Sequence, residues 1–246
     1  MDRLYSRRLP WLGGLRRISN AALTAPSPSD GEELRTALPD NFDGIRFEIG
    51  RMIQYVRDAA KDPLVAAHVR EICEKHFALN GPDGERNPER TTIEAIDAWC
   101  RAHFAYVNDP PNVEVLQTPR RMIKETRVPS EVIRHVIDPL LAAASTVAPP
   151  GFVESYEPPP LTAGDCDEGA TLFVALCAAT PAAGLPPIRP LRFQFGGHDD
   201  TLHHVWSLVG EDGYGKLVAS DLTEPGYKLG DFSKFDHYEE VEVPLP

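Results

Sequence analysis

Between residues 41 and 77 the apolar side chains Ile45, Phe47, Ile49, Met52, Ile53, Val56, Val65 and Val69 recur at three- and four-residue intervals, the spacing that lines one face of an α-helix. Pro63 interrupts the series, so the pattern predicts two amphipathic helices, with Cys73 extending the apolar face of the second. Asn80-Gly81-Pro82-Asp83-Gly84 reads as a loop. Ile93, Ile96, Trp99, Cys100 and Phe104 then form a stripe that predicts a third helix over residues 91–107 and places Cys100 in the core. Beyond it, Asp109-Pro110-Pro111 ends helical structure, Val113-Glu114-Val115-Leu116 is short and extended, and Gln117-Thr118-Pro119 follows.

Residues 130–145 read as another helix, and the proline-rich passage at 148–160 cannot pair as a central strand. From Cys166 to Thr180 the chain is apolar on every side after its first turn. That predicts a buried helix holding Cys177, stopped by Pro181 and Gly184. The period then changes to two, giving strands at 188–195, 204–209 and 216–221, with residues 210–215 as a turn. Helices first, then one buried helix followed by strands, is an α+β order.

Composition narrows the class. In 246 residues, 42% hydrophobic and 25% charged are globular values that exclude a disordered chain, and no run of 18 apolar residues suggests a membrane span. A net charge of −12 repels phosphate backbones, so nucleic acid is not expected as a partner; with no apolar run to span it, neither is a membrane. The 24 prolines are about twice the usual share and fit long loops. Cys73, Cys100, Cys166 and Cys177 follow no C-x-x-C pattern and are too few for a disulfide scaffold, which points to a reducing compartment. Residues 1–20 carry Arg3, Arg7, Arg8, Arg16 and Arg17 without a long apolar core, so a secretory signal fails on length. The segment reads as a flexible basic arm ending at Ala25-Pro26-Ser27-Pro28-Ser29. Three regions are expected: the arm at 1–30, a helical region at 31–94, and a domain at 95–246 with a proline-rich insert at about 120–160.

Cys166 opens its helix in Gly164-Asp165-Cys166-Asp167-Glu168, where free backbone N–H groups and the helix dipole favour thiolate. Asp165, Asp167 and Glu168 work against this by like-charge repulsion, so a nucleophilic role needs a histidine within reach. Strand parity puts His204, Trp206 and Leu208 on one face, with His203, Val205 and Ser207 on the other. If Val209 faces Lys216 across the turn, His204 falls opposite Asp221, at the Cβ separation of about 4.5–5.5 Å of cross-strand partners. A carboxylate there fixes the imidazole tautomer and leaves the other ring nitrogen for a thiol. A one-residue slip would exchange His204 for His203.

Gly164-Asp165-Cys166-Asp167-Glu168 before an apolar helix, His204-Val205-Trp206 on a strand, and Asp221-Leu222-Thr223-Glu224-Pro225-Gly226 after the next strand resemble the transglutaminase-like superfamily of papain-like cysteine enzymes. The version in tailed bacteriophages and prophages is most similar, with a segment like Val113-Glu114-Val115-Leu116-Gln117-Thr118-Pro119 ahead of the cysteine motif. The resemblance spans roughly residues 95–230. It implies a papain/transglutaminase-like core in which the cysteine helix packs on an antiparallel sheet. Cys166 is then the nucleophile, His204 the general base and acid, and Asp221 the orienting carboxylate. Gln117 is a candidate oxyanion donor and Trp206 a candidate pocket wall.

The reading is therefore a cysteine hydrolase or acyl transferase, a peptidase or amidase acting on a protein or peptide, with no cofactor and no metal. It is expected in the bacterial cytoplasm, or in the virion as a structural component. The acidic chain after residue 150 favours a cationic or neutral substrate. Two rivals are weighed. One is a metal hydrolase built on His198-Asp199-Asp200-Thr201-Leu202-His203-His204, although the spacing matches no familiar zinc site. The other is a non-catalytic module of a phage particle or its assembly, contacting structural proteins through the basic arm or the proline-rich insert.

Overall fold

The computed structural model describes residues 33–36, 42–80, 88–109, 114–126, 162–198, 201–211, 215–224 and 226–245. The arm at 1–30, the loop at 81–84, the helix expected at 130–145, the proline-rich passage at 148–160 and the acids at 199 and 200 lie outside these residues.

The described chain is mixed helix and antiparallel sheet, as the change of period from helical to alternating predicts. Helices α1 (Phe42–Ala59) and α2 (Pro63–Asn80) are the expected amphipathic pair. In α1, Ile49, Met52, Ile53 and Val56 are all buried, and Pro63 takes the first position of α2, where its missing N–H costs nothing. Asp62 accepts from the Leu64 amide at 2.7 Å and receives Arg120 Nη1 on both carboxylate oxygens at 2.8 Å, which ties the start of α2 to helix α4 (Pro119–Glu125).

The third helix, α3 (Pro88–His103), buries Ile93, Ile96 and Cys100 as the stripe requires. It stops four residues before the expected end, because Phe104–Tyr106 leaves the helix as strand β2 and pairs in parallel with β4 (Thr162–Gly164). Strand β1 (Glu33–Thr36) pairs antiparallel with β3 (Glu114–Gln117). The anticipated boundary at 94/95 falls inside α3, and one apolar core crosses it, from Ile49 and Val69 to Phe193 and Val241. The insert expected from residue 120 also begins in this core, since Met122 and Ile123 of α4 are fully buried.

Helix α5 (Cys166–Ala178) occupies the centre, with every residue after Cys166 buried. Asp165 caps it: its side chain accepts from the Asp167 amide, while Glu168 reaches back to the Asp165 amide at 2.9 Å, a reciprocal capping box. Gly164 permits the turn, because a Cβ there would collide with the Glu168 side chain.

A four-stranded antiparallel sheet in the order β7-β6-β5-β8 packs on α5. Its strands are β5 (Leu191–His198), β6 (Thr201–Glu211), β7 (Leu217–Ser220) and β8 (His237–Glu242). Phe193, Phe195, Val205 and Val209 face the helix, and Ser207 Oγ donates to the Ala170 carbonyl at 3.2 Å. Trp206, Leu208 and Ala219 face outward, under Phe235 and Tyr238. The alternation is as expected; the register is not. Val209 faces Val218 rather than Lys216, because Gly210, at φ +55°, sits at a bulge that carries β6 on to Glu211. Among the described residues no helix is long and apolar enough to cross a membrane.

Candidate active site

The two-residue displacement of register is even, so it keeps His204 and Asp221 on the same face. The last β6–β7 pair is Ser207 with Ser220, after which the chain leaves the ladder and Asp221 turns diagonally toward His204. His204 Nε2 lies 2.8 Å from Asp221 Oδ2, with the imidazole 11% and the carboxylate 1% exposed. The other carboxylate oxygen accepts from the Thr223 amide at 3.2 Å and the Thr223 hydroxyl at 3.0 Å. Burial pushes the Asp221 carboxyl up, but the His204 hydrogen bond and charge, with the Thr223 bonds, outweigh it and hold the group below its usual value. An ionised carboxylate can only accept, so Nε2 carries a proton toward Asp221, and Nδ1 is the ring nitrogen through which a proton can be exchanged.

Cys166 is partly exposed, whereas Cys73, Cys100 and Cys177 are buried. Its sulfur meets the backbone N–H of Val205, the residue after His204. Strand β5 covers one edge of β6 along this stretch, so the thiol lies on the edge that β7 leaves open beyond Ser207. The chain thus forms the imidazole–carboxylate pair and seats the thiol against the strand that carries the imidazole.

Burial raises the Cys166 thiol far above its ordinary value, and Asp165 and Glu48 add to the rise. The Val205 amide and the cysteine's own amide oppose them. The resting group is therefore a thiol. Other acids gather nearby: the half-exposed Tyr106 hydroxyl is raised by burial and then by Cys166, Asp165, Glu224 and Asp109, and it donates to Asn108 Oδ1 at 2.7 Å.

Gln117 is buried beside the strand leading to the cysteine. Its Nε2 donates one hydrogen to the Ala163 carbonyl at 2.8 Å and keeps a second, while Oε1 has no partner among the described residues. Trp206 does not face solvent. It is fully buried and stacks with Phe232 at 6.2 Å and Phe235 at 5.8 Å, with the His204 ring 5.7 Å away, so it backs the imidazole.

The histidine-rich segment is dispersed. His198 Nδ1 pairs with Asp236 at 2.9 Å, His203 is exposed, and His204 is held by Asp221. Among the described residues, the potential ligand atoms that converge are those of Asp165, Cys166 and Asp167, within 4.8 Å of one another. Asp165 already spends an oxygen on the Asp167 amide there.

Three supporting residues escaped the sequence reading. Thr223 fixes the free oxygen of Asp221, and Asp97 and Arg101 approach it from α3. The signal for the last two was an acid and an arginine four apart, with the acid beside the apolar stripe. Comparison with known proteins found no matching family model, no matching curated protein and no matching solved structure.

Proposed function

We propose that the protein is a cysteine hydrolase or acyl transferase of the transglutaminase-like, papain-like kind, phage-encoded, acting on an amide of a protein or peptide. The observation that carries this reading is the 2.8 Å His204–Asp221 pair on the strand whose next amide meets the Cys166 sulfur.

In the proposed cycle His204 Nδ1 accepts the Cys166 proton as sulfur attacks the amide carbon. The raised thiol makes this proton transfer part of the attack rather than a prior event. Asp221 stabilises the imidazolium. The amides of the first turn of α5 that Asp165 does not occupy, with Gln117 Nε2 as a further donor, are the groups available to the developing oxyanion. The C–N bond breaks, His204 returns its proton to the leaving amine, and a thioester remains on Cys166. Water or a second amine then attacks the thioester, gives its proton to His204, and releases the acid or the new amide with the thiol restored.

The raised thiol also favours a second reading, a non-catalytic module of a phage particle that keeps the fold. Thiol-selective alkylation separates the two. Cys73, Cys100 and Cys177 are buried and Cys166 is partly exposed, so alkylation of the folded chain reports on Cys166. Catalysis predicts labelling at pH 7.5 that falls by about 10²-fold or more in His204→Ala. Labelling that is slow in the parent and unchanged in the variant supports the module.

A further inference from the structure

We propose that Asp97 and Arg101 of α3 are positioning residues that aim Asp221 at His204, acting through the backbone on both sides of the point where β7 ends. As a statement about catalysis this rests on the triad reading above; as a statement about the histidine–aspartate contact it stands alone.

Asp97 is a carboxylate with 5% exposure on a helix face otherwise made by Ile93, Ile96 and Cys100. One oxygen accepts from Ser220 Oγ at 2.7 Å and the other from Arg101 Nε at 2.8 Å. Arg101 Nη1 then donates to the carbonyl of Asp221 at 3.2 Å. The chain Ser220–Asp97–Arg101–Asp221 thus grips the last ladder residue of β7 and the residue after it, where the β6–β7 register no longer sets the direction of the strand. A backbone carbonyl that has lost its cross-strand donor gains one from the guanidinium.

A buried ion pair is a weak stabiliser, because desolvation offsets most of its attraction. What this pair supplies is direction. With the Ser220 hydroxyl and the Asp221 carbonyl both drawn toward α3, the Asp221 carboxylate is left on the outer face, where His204 stands beside Trp206. Thr223 sets the rotation of the carboxylate, and the α3 pair sets the backbone that carries it.

The test uses the full chain in five forms: parent, Arg101→Gln, Ser220→Ala, Asp221→Ala and the double variant that combines Arg101→Gln with Asp221→Ala. The first readout is the exchange-protected His204 Nε2–H proton resonance, assigned by its loss in His204→Ala. The second is the rate of Cys166 alkylation by iodoacetamide at pH 7.5. The expected result is loss or broadening of the resonance in Arg101→Gln and Ser220→Ala, with alkylation slowed by about tenfold. In the Asp221→Ala background Arg101→Gln should bring no further slowing, because the two residues act in series. A resonance unchanged in both folded variants overturns the proposal whatever the thiol does, and so do losses that add. Loss of the resonance with alkylation unaffected upholds the positioning role and removes the triad reading. Should Arg101→Gln fail to fold by circular dichroism, Ser220→Ala, which removes one hydroxyl, decides alone.

Discussion

His204 and Asp221 meet at 2.8 Å without being cross-strand partners: continued past Ser220, the β6–β7 register would set Asp221 opposite Trp206. The contact is diagonal, made by a carboxylate reaching forward along the chain, toward the position that would face His204, as its backbone leaves the sheet. Asp221→Asn tests what the charge contributes. The amide can still hold the ring, yet it cannot stabilise an imidazolium, so Cys166 alkylation at neutral pH should fall by on the order of 10²-fold. Thermal melting of the same variant should show the fold retained, which separates lost chemistry from lost structure.

Parity explains why the pair was legible while its register was not. Alternation of apolar and polar residues fixes which face each strand residue takes, and His204, Trp206 and Leu208 needed nothing more. Register depends on the turn, and Gly210 could be read equally well as the first turn residue or as a bulge inside a longer strand. An error of two residues left the face intact; an error of one would have selected His203. The burial of α5 was legible because its apolar residues surround the helix axis. The strand at Phe104 was not, since Phe104 continues the α3 stripe and only the parallel pairing with Thr162, far along the chain, decides its conformation. In the sequence Asp97 and Arg101 are no more than an acid and an arginine four apart, and only the fold brings the end of β7 against them.

The acids around the thiol imply charge selection among small reagents. Asp165 and Glu48 act on Cys166, and Asp109, Asp165 and Glu224 act on the neighbouring Tyr106. Among three methanethiosulfonates of matched size, the trimethylammonium reagent should modify Cys166 fastest, a neutral one more slowly and the sulfonate slowest. The spread should shrink as salt shortens the screening length from about 10 Å at 0.1 M to about 3 Å at 1 M. Equal rates for the three reagents would remove the field and with it the expected preference for cationic or neutral substrates.

Asp165 serves two ends that conflict, capping α5 and repelling the thiolate beside it. Asp165→Asn keeps an acceptor for the Asp167 amide and removes the charge, so Cys166 alkylation should accelerate with little change in melting temperature. Asp165→Ala removes both, and should accelerate alkylation while costing about 1 kcal/mol of stability, measured by denaturant unfolding.

Glu239 contributes to the pH dependence of stability. On the helix-facing side of β8 it is 2% exposed, neither carboxylate oxygen has a partner among the described residues, and burial pushes its carboxyl up to about 7. The folded state therefore binds this proton more tightly than the unfolded chain, whose value is near 4.5. The resulting stabilisation is complete below pH 4.5 and is lost as pH rises through about 7. Asp221 has the opposite sign: its carboxyl is lowered, so its contribution is present above its ordinary value of 3.8 and is lost only on stronger acidification, outside that window. Glu239→Gln holds the neutral shape at every pH. Its melting temperature should equal the parent's near pH 4.5 and exceed it by several degrees at pH 8, taking about 2–4 °C for each kcal/mol in a chain of this size. Parallel melting curves for the two proteins from pH 4.5 to 8 would show that the carboxyl is solvated and that the inner face of β8 opens to water.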